Sequence, residues 1–372
     1  MMSLTGLVPV LAASVPMPGF DPAGYPLPEW LLQILFNVTL ALHLAAVYFT
    51  LGSCLLYLWC RARGGEHNHA IARTLGSCLP LGMSYLVTLG IPPLLFTQVI
   101  YGQQFYSSSV LMAGYWIQVP FIVILAYLCF YAHKLTRDSR PGIQTWLIFA
   151  AVPLMLYVGF IYSNNVTLSM LPEKWLSVYN SHPDGFVLSH GDKSVHARLL
   201  LFLAPIFCVP ALALLFIGAC WKGAGKAAQG THAHKLALCS YWLGTILTAV
   251  GLLLVSRRLP PAILETVLTT PIYRCLLANA VLFLVLSAVM VSIAVYKATR
   301  VFAVIASLLV VVALISLLFL RDFVRREYLK PFFDPASVPV VGQWGTFSLF
   351  LVIAVAGIAF LVVLGLRLRK EG

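Results

Sequence analysis

The chain has 372 residues, of which 60% are hydrophobic and only 10% are charged, and its formal net charge is +12. This composition excludes a protein made of one or two soluble domains and is typical of a chain that crosses a membrane several times. It also excludes a nucleic-acid-binding protein, because no polar domain is present that could carry a basic face.

Nine apolar segments are long enough to cross a bilayer, for which a helix needs about 20 residues. In chain order they lie at approximately 30–59, 77–99, 109–133, 144–169, 196–221, 236–256, 274–296, 301–320 and 344–366. We therefore predict an all-α, polytopic membrane helical bundle of about nine transmembrane helices, with residues 1–372 forming a single membrane domain surrounded by lipid.

The distribution of Lys and Arg predicts the orientation of this bundle. The loops after helices 1, 3, 5, 7 and 9 carry fourteen basic and three acidic residues, whereas the other side carries ten basic and nine acidic residues. Because basic loops stay in the cytoplasm, we predict an outer N-terminus and a cytoplasmic C-terminus. The longer segments 1–29, 170–195 and 321–343 then lie outside, where they are expected to meet partners.

Five ionisable residues inside these helices or at their outer ends are candidate site residues, whereas His133 lies at the cytoplasmic end of helix 3. His43 lies about 13 residues into helix 1, roughly 20 Å from its outer end and near the membrane middle. His196 opens helix 5 and Arg274 opens helix 7, both from outside, and Asp322 and Arg325 close helix 8 on the outside. The topology therefore predicts that the five cluster toward the outer half of the membrane.

These residue types suit haem binding, although each has a structural explanation as well. An ionisable group in lipid is costly and suggests function. Imidazole is the common protein ligand of haem iron, and a guanidinium binds a propionate through its fork of donors. Equally, His43 could be a hydrogen-bonded packing residue, His196 an interfacial residue, and Asp322 with Arg325 a surface ion pair of little energetic value. The remaining cytoplasmic-side histidines of the loops are expected to be exposed polar tips: His67, His69, His232 and His234.

Four short sequence motifs resemble subunit I of cytochrome bd oxidase, both in their order along the chain and in their predicted position toward the outer side of the membrane. They are His43-Leu44-Ala45-Ala46-Val47-Tyr48-Phe49-Thr50-Leu51-Gly52, Val195-His196, Tyr273-Arg274 and Asp322-Phe323-Val324-Arg325. The resemblance implies a nine-helix protein of a prokaryotic inner (plasma) membrane that binds one to three b-type haems and their iron. It further implies that His43 and His196 ligate haem iron, that Asp322 ligates or electrostatically stabilises a haem, and that Arg274 and Arg325 hold propionates.

The chain also departs from the pattern of that family. The third helix, from Tyr115 to Leu128, has no carboxylate where the family has glutamates at its oxygen-reducing haem. Cys275-Leu276-Leu277 stands near Arg274 where the family has a methionine ligand, and the quinol-binding loop shrinks to about 257–273. Reduction of oxygen needs protons delivered to a buried site, and oxidation of quinol needs a site that binds it. These losses therefore argue against ordinary quinol-oxidase chemistry.

Our leading hypothesis from the sequence is a membrane-embedded b-type haem subunit that transfers electrons within a respiratory complex. Its expected partners are other membrane redox subunits and an extracytoplasmic c-type cytochrome. A divergent terminal oxidase fed by a cytochrome and a haem-poor structural anchor for other redox subunits remain as alternatives. A transporter is a further alternative, although neither an inverted repeat nor paired broken helices support it.

Overall fold

The computed structural model describes residues 23–136, 141–189, 192–297 and 300–371. Across these ranges the chain forms helices and no β-strand. The principal helices are α1 (Glu29–Arg63), α2 (Glu66–Leu111), α3 (Ala113–Leu135, interrupted at Ile117), α4 (Pro141–Ser169), α5 (Lys193–Gly223, with a 3-10 turn at Ala204–Phe207), α6 (Ala227–Ser256), α7 (Pro271–Lys297), α8 (Arg300–Leu329) and α9 (Trp344–Glu371). Short helices at Trp175–Ser181 and Pro261–Thr269 and 3-10 turns at Pro172–Lys174 and Pro335–Ser337 lie in the connections.

Eight of the described helices, α1 to α8, are long and apolar enough to cross a membrane. The ninth predicted helix is present as α9, in which a shorter apolar stretch covers Trp344–Ile353. The prediction of an all-α, polytopic helical bundle is therefore confirmed, and the chain is a multi-pass membrane protein. The orientation of the termini and the single-domain organisation stay predictions.

Two helices extend well beyond their predicted limits. Helix α2 runs for 46 residues and reaches Leu111, so residues 109–111 belong to α2 and not to the third helix. Helix α8 continues to Leu329, so residues 321–329 are helical and are not part of an outer loop. Hydropathy detects only the part of a helix that contacts lipid, whereas backbone hydrogen bonding continues past it.

Helix α1 lies at the centre of the contacts that matter for the site. It packs along α2 over most of its length and also contacts α4, α5 and α8. Its close approach to α5 occurs at Gly52, where a Cβ atom would lie 1.8 Å from the Ile206 carbonyl oxygen. Helix α2 has non-helical backbone angles at Tyr101 (φ −123°, ψ 32°), and this kink lies beside α8.

The segments before α1 and after α8 are joined on the same side of the bundle. The Tyr25 N–H donates to the Pro339 carbonyl oxygen at 2.8 Å, and the Val341 N–H donates to the Tyr25 carbonyl oxygen at 2.8 Å. The Tyr25 hydroxyl donates to the Ile100 carbonyl oxygen on α2 at 3.0 Å. Burial, helped by the nearby Glu29 carboxylate, raises the pKa of Tyr25, so it remains a neutral donor. These bonds fix the adjoining parts of α1, α2 and α8 relative to one another.

Substitution of Gly52 by Ala should destabilise the protein, because its Cβ would overlap backbone atoms of α5 and force the helices apart. We expect a loss of about 1–3 kcal/mol in the free energy of unfolding, the usual cost of overpacking. The measurement is thermal unfolding of the purified protein in detergent. Gly142→Ala is the matched control, since a Cβ there meets nothing within 4 Å. Equal melting temperatures for the two variants would contradict this close helix approach.

Candidate functional site

His43 lies on α1 with its imidazole against α2. Its Nδ1 is 3.0 Å from the Leu86 carbonyl oxygen. Because a carbonyl only accepts, Nδ1 carries the proton and Nε2 keeps its lone pair. The ring fits here because residue 90 is glycine: a Cβ there would lie 3.0 Å from Cε1 and 3.1 Å from Nδ1 of His43. A histidine held in this way by a carbonyl is oriented as metal-ligating histidines are.

Asp322, on α8, is 2% exposed; it accepts a hydrogen bond on one carboxylate oxygen and forms an ion pair through the other. The Tyr101 hydroxyl donates to Oδ1 at 3.0 Å, and the Arg326 Nε lies 3.6 Å from Oδ2. Tyr101 in turn accepts from the Gln33 Nε2 of α1 at 3.2 Å. The carboxylate therefore joins three helices. The expectation that Asp322 and Arg325 form a surface ion pair is wrong, because Asp322 is buried and pairs with Arg326 one residue further on.

Arg325 and Arg321 occupy the same region and lack carboxylate partners. Arg325 is 3% exposed, and its guanidinium carbon lies 4.6 Å from the centre of the Tyr101 ring. Arg321 is partly buried over the Phe36 ring, at 5.9 Å. The Nη1 atom of each is buried and has no hydrogen-bond partner in the described part of the chain. An unpaired buried guanidinium nitrogen is costly, so these two atoms indicate a place for an acceptor.

Arg198 of α5 adds a fourth guanidinium to the cluster. Its Nη1 donates to the Thr167 hydroxyl at 3.3 Å, and its guanidinium lies 5.4 Å from the centre of the Tyr328 ring. It is close enough to Arg325 for the two charges to repel each other. Arg326, by contrast, is paired with Glu29 as well as with Asp322.

Asp192 supplies the carboxylate nearest to Arg198. It lies just before α5 and accepts from the Ser194 N–H at 2.8 Å. Burial alone would raise its pKa. The Ser194 donors and the Lys174 and Arg198 cations outweigh that effect and hold the pKa of Asp192 below its usual value. Asp192 is therefore ionised at neutral pH. The four arginines still exceed the three nearby carboxylates, Glu29, Asp192 and Asp322.

Four buried carboxamides on α1, α2 and α4 are also incompletely bonded within the described residues. Gln104, one turn after Tyr101 on α2, is 1% exposed, and neither its Oε1 nor its Nε2 has a described partner. The Oδ1 atoms of Asn37, Asn164 and Asn165 are likewise buried without a partner. Buried polar groups in proteins are almost always bonded to protein, water or ligand, so the region is suited to hold polar groups beyond its own side chains.

Three of the five predicted residues do not join this cluster. His196 is exposed on α5, and its neighbour Val195 is buried instead. Arg274 is exposed on α7, and its neighbour Tyr273 contacts α8 through a hydrogen bond to Glu327 at 3.1 Å and by stacking on Phe323. The prediction that all five residues cluster is thus met by Asp322 and Arg325, while His43 lies separately between α1 and α2.

Several residues of the site were missed from the sequence. Tyr101, Gln104, Arg198 and Arg321 were not singled out, although Arg321 and Arg198 are as ionisable as Arg325 and fall within or beside apolar segments. That signal was available for the arginines, whereas nothing in the sequence distinguishes Tyr101 from other tyrosines.

The histidines predicted to be exposed tips behave differently from one another. His69 is exposed, whereas His67 and His232 are half-buried. His234 is 2% exposed, so the expectation for it is wrong. Its Nε2 donates to the Leu215 carbonyl oxygen at 3.1 Å, and its Nδ1 accepts from the Lys222 ammonium at 3.2 Å. These bonds explain why a histidine near the helix start can be buried.

The residues present fit a haem better than a bare metal ion. Within the described residues no group of three or more His, Cys, Asp or Glu side chains could hold a metal ion. A haem needs fewer protein ligands, since its macrocycle supplies four, and its propionates need cationic donors. His43 offers one oriented nitrogen, and Arg321 and Arg325 offer unpaired donors.

Comparison with known proteins gives one informative similarity. No family model matches this sequence, and no curated protein matches it. The structure is similar to a chain of the bd oxidase from Geobacillus thermodenitrificans, with a TM-score of 0.63 and 15% sequence identity, over 94% of this chain and 100% of that chain. The protein therefore has a bd-oxidase-like fold. At this level of identity the similarity concerns the fold alone.

Replacing Tyr101 by Phe should destabilise the protein, because the ring contacts are kept while the Asp322 carboxylate loses a buried donor. Loss of one partner of a buried charged group costs about 1–3 kcal/mol. Tyr106→Phe is the control, since Tyr106 is 54% exposed. The measurement is the melting temperature in detergent. Combining Tyr101→Phe with Asp322→Asn should give less than the sum of the two effects; additive effects would contradict the bond.

Proposed function

We propose that the protein is a b-type haem electron-transfer subunit of a membrane respiratory complex. The observation that carries this proposal is the pair of buried Nη1 atoms of Arg321 and Arg325, for which the described residues provide no acceptor. The region around them contains more arginines than carboxylates. A dianionic ligand would relieve that excess, and haem carries two propionates. The bd-oxidase-like fold supports haem as the ligand.

His43 is the proposed iron ligand. Haem supplies a carrier that gains and loses one electron at its iron. The Leu86 carbonyl keeps the imidazole in the tautomer that leaves Nε2 available, and Gly90 allows the ring to lie against α2. A second haem ligated by His196 is part of the same hypothesis, in which the exposed imidazole would face a haem held with a neighbouring subunit.

Asp322 is proposed to act electrostatically and not as an iron ligand. Both of its oxygens are already engaged, one by the Tyr101 hydroxyl and the other by Arg326. Its negative charge holds Arg326 and the kinked part of α2 in place, so Arg325 and Arg321 remain directed to the space beside them. Arg325 is the proposed propionate donor.

A second candidate function is a haem-poor structural anchor for other redox subunits. It is favoured by the exposure of His196 and Arg274, which leaves two of the proposed haem residues outside the buried cluster. In this case the arginines would bind another anion. Haem content of the purified chain decides between the two functions.

The electron partner is proposed to be an extracytoplasmic c-type cytochrome that contacts the connection between α4 and α5. This connection contains the helix Trp175–Ser181, on which Leu176 is 71% exposed and Tyr179 is 57% exposed. Exposed apolar side chains of this kind are enriched at protein interfaces. The proposal requires the outer orientation predicted from the loop charges and places the protein in a prokaryotic plasma membrane.

The purified protein should show the reduced-minus-oxidised absorption bands of b-type haem, and His43→Gly should lose them. Added imidazole should restore the bands in His43→Gly, because the small molecule can occupy the place of the side chain. His182→Ala, in an exposed loop position, is the control and should keep its haem. A colourless wild-type protein after expression with sufficient haem would refute the proposal and favour the structural anchor.

Replacing Arg325 by Gln should lower the reduction potential of the bound haem, because a nearby positive charge stabilises the ferrous form. Lys330→Gln removes an exposed cation just after the same helix and should leave the potential unchanged. The measurement is a spectroscopic redox titration. Equal potentials in wild type and Arg325→Gln would show that Arg325 is not close to the haem.

Electron donors can be compared on the same preparation. Rapid-mixing absorption measurements should show faster haem reduction by a reduced c-type cytochrome than by a reduced quinol, and Leu176→Asp should slow only the former. Oxygen uptake by the isolated subunit would instead support the divergent terminal oxidase.

A further inference from the structure

A second polar region lies at the opposite end of the bundle from the arginines, where α2 and α6 begin. A cavity of about 380 Å³ is lined there by His67, Ala227, Ala228, Thr231, His232 and Lys235. The α6 residues recur with the spacing of one helix face, and His67 faces them from the first turn of α2. The cavity is therefore built by two helices whose starts lie at one surface of the membrane protein.

The lining of this cavity is polar and includes one cation, Lys235. It contains two imidazoles, one ammonium and one hydroxyl, and no carboxylate. The rings of His67 and His232 lie 5.7 Å apart between centroids. The His232 Nε2 donates to the Asn68 Oδ1 at 2.8 Å, which orients its ring. The Nδ1 of His67 is buried and has no described hydrogen-bond partner.

The start of α6 contributes backbone donors to the same cavity. The helix begins at Ala227, and the preceding Lys226 forms no side-chain cap. The first N–H groups of a helix have no acceptor within it, and they lie at the positive end of the helix dipole. Ala227 and Ala228 line the cavity, so part of this uncapped turn faces it.

We infer that this cavity binds a phosphate group, either from the headgroup of an anionic lipid or from a soluble phosphate compound. Phosphate accepts hydrogen bonds on several oxygens and carries the charge that the lysine, the imidazoles and the helix start together favour. The same charges disfavour a metal cation. A position at the ends of membrane helices is one where basic pockets bind lipid headgroups. The site is independent of the proposed haem site.

Binding of two probes to the full-length protein in detergent tests this inference. Inorganic phosphate is titrated by calorimetry, and phosphatidylglycerol is compared with phosphatidylcholine by native mass spectrometry. Binding of inorganic phosphate assigns a soluble source, whereas retention of phosphatidylglycerol alone assigns a lipid source. Lys235→Gln combined with His67→Asn should weaken the observed binding by roughly ten-fold or more, because two side chains that line the cavity lose their contacts with the phosphate oxygens.

Lys226→Gln is the matched control, because it removes the same charge beside the cavity without lining it. It should leave the affinity within about two-fold, since Lys226, unlike Lys235, does not line the cavity and its charge is screened by solvent. The single variant Lys235→Gln, at an exposed position, replaces the double variant if the latter does not fold. Failure of both probes to bind the wild type overturns the inference, as does equal weakening by Lys226→Gln. Preferential binding of Zn²⁺ that is lost in His67→Asn also overturns it.

Discussion

The contacts of the buried Asp322 carboxylate are those on which this end of the helical bundle depends. Taking a carboxylate out of water costs several kcal/mol unless donors surround it, and here the donors come from elsewhere in the chain. Tyr101 reaches it from the kink of α2, and Gln33 of α1 supports Tyr101. Helices α1, α2 and α8 must therefore meet in one register for the charge to be buried. The ion pair between Glu29 and Arg326 joins α1 to α8 a second time.

The same contact explains how a site with an excess of positive charge can persist inside a membrane protein. Arg321 directly precedes Asp322 on α8, and Arg325 follows it by about one helical turn. Burial of the carboxylate therefore places both arginines in the interior as well. Their cost is offset in part by the aromatic rings of Phe36 and Tyr101, against which the guanidinium groups lie. What remains unpaired is a set of fixed donors. Such donors bind an anion without further rearrangement. The binding site therefore comes at a cost in the stability of the fold, because its donors are buried without partners.

The helices could be predicted from the sequence because a chain in lipid must satisfy its backbone internally, and apolar length reveals where it does so. The end of the eighth helix was not predictable in this way, since it continues to Leu329 and includes Asp322. The side of the helix on which each side chain lies could not be predicted. One residue turns the side chain by about 100°, so Tyr273 faces α8 while Arg274 is exposed, and Val195 is buried while His196 is exposed. Tyr101 could not be found because its partner lies 221 residues away in the chain.

The low identity to a bd oxidase chain is compatible with a conserved architecture and a changed chemistry. A fold determines which helices meet, whereas the side chains at their meeting point determine what binds there. In this chain the third helix carries no carboxylate between Tyr115 and Leu128, yet the region where α1, α2, α5 and α8 meet holds four arginines. Proton delivery would need groups that release and accept protons, and arginine does neither at physiological pH. The arginines of this region therefore favour binding of an anion and do not themselves deliver protons.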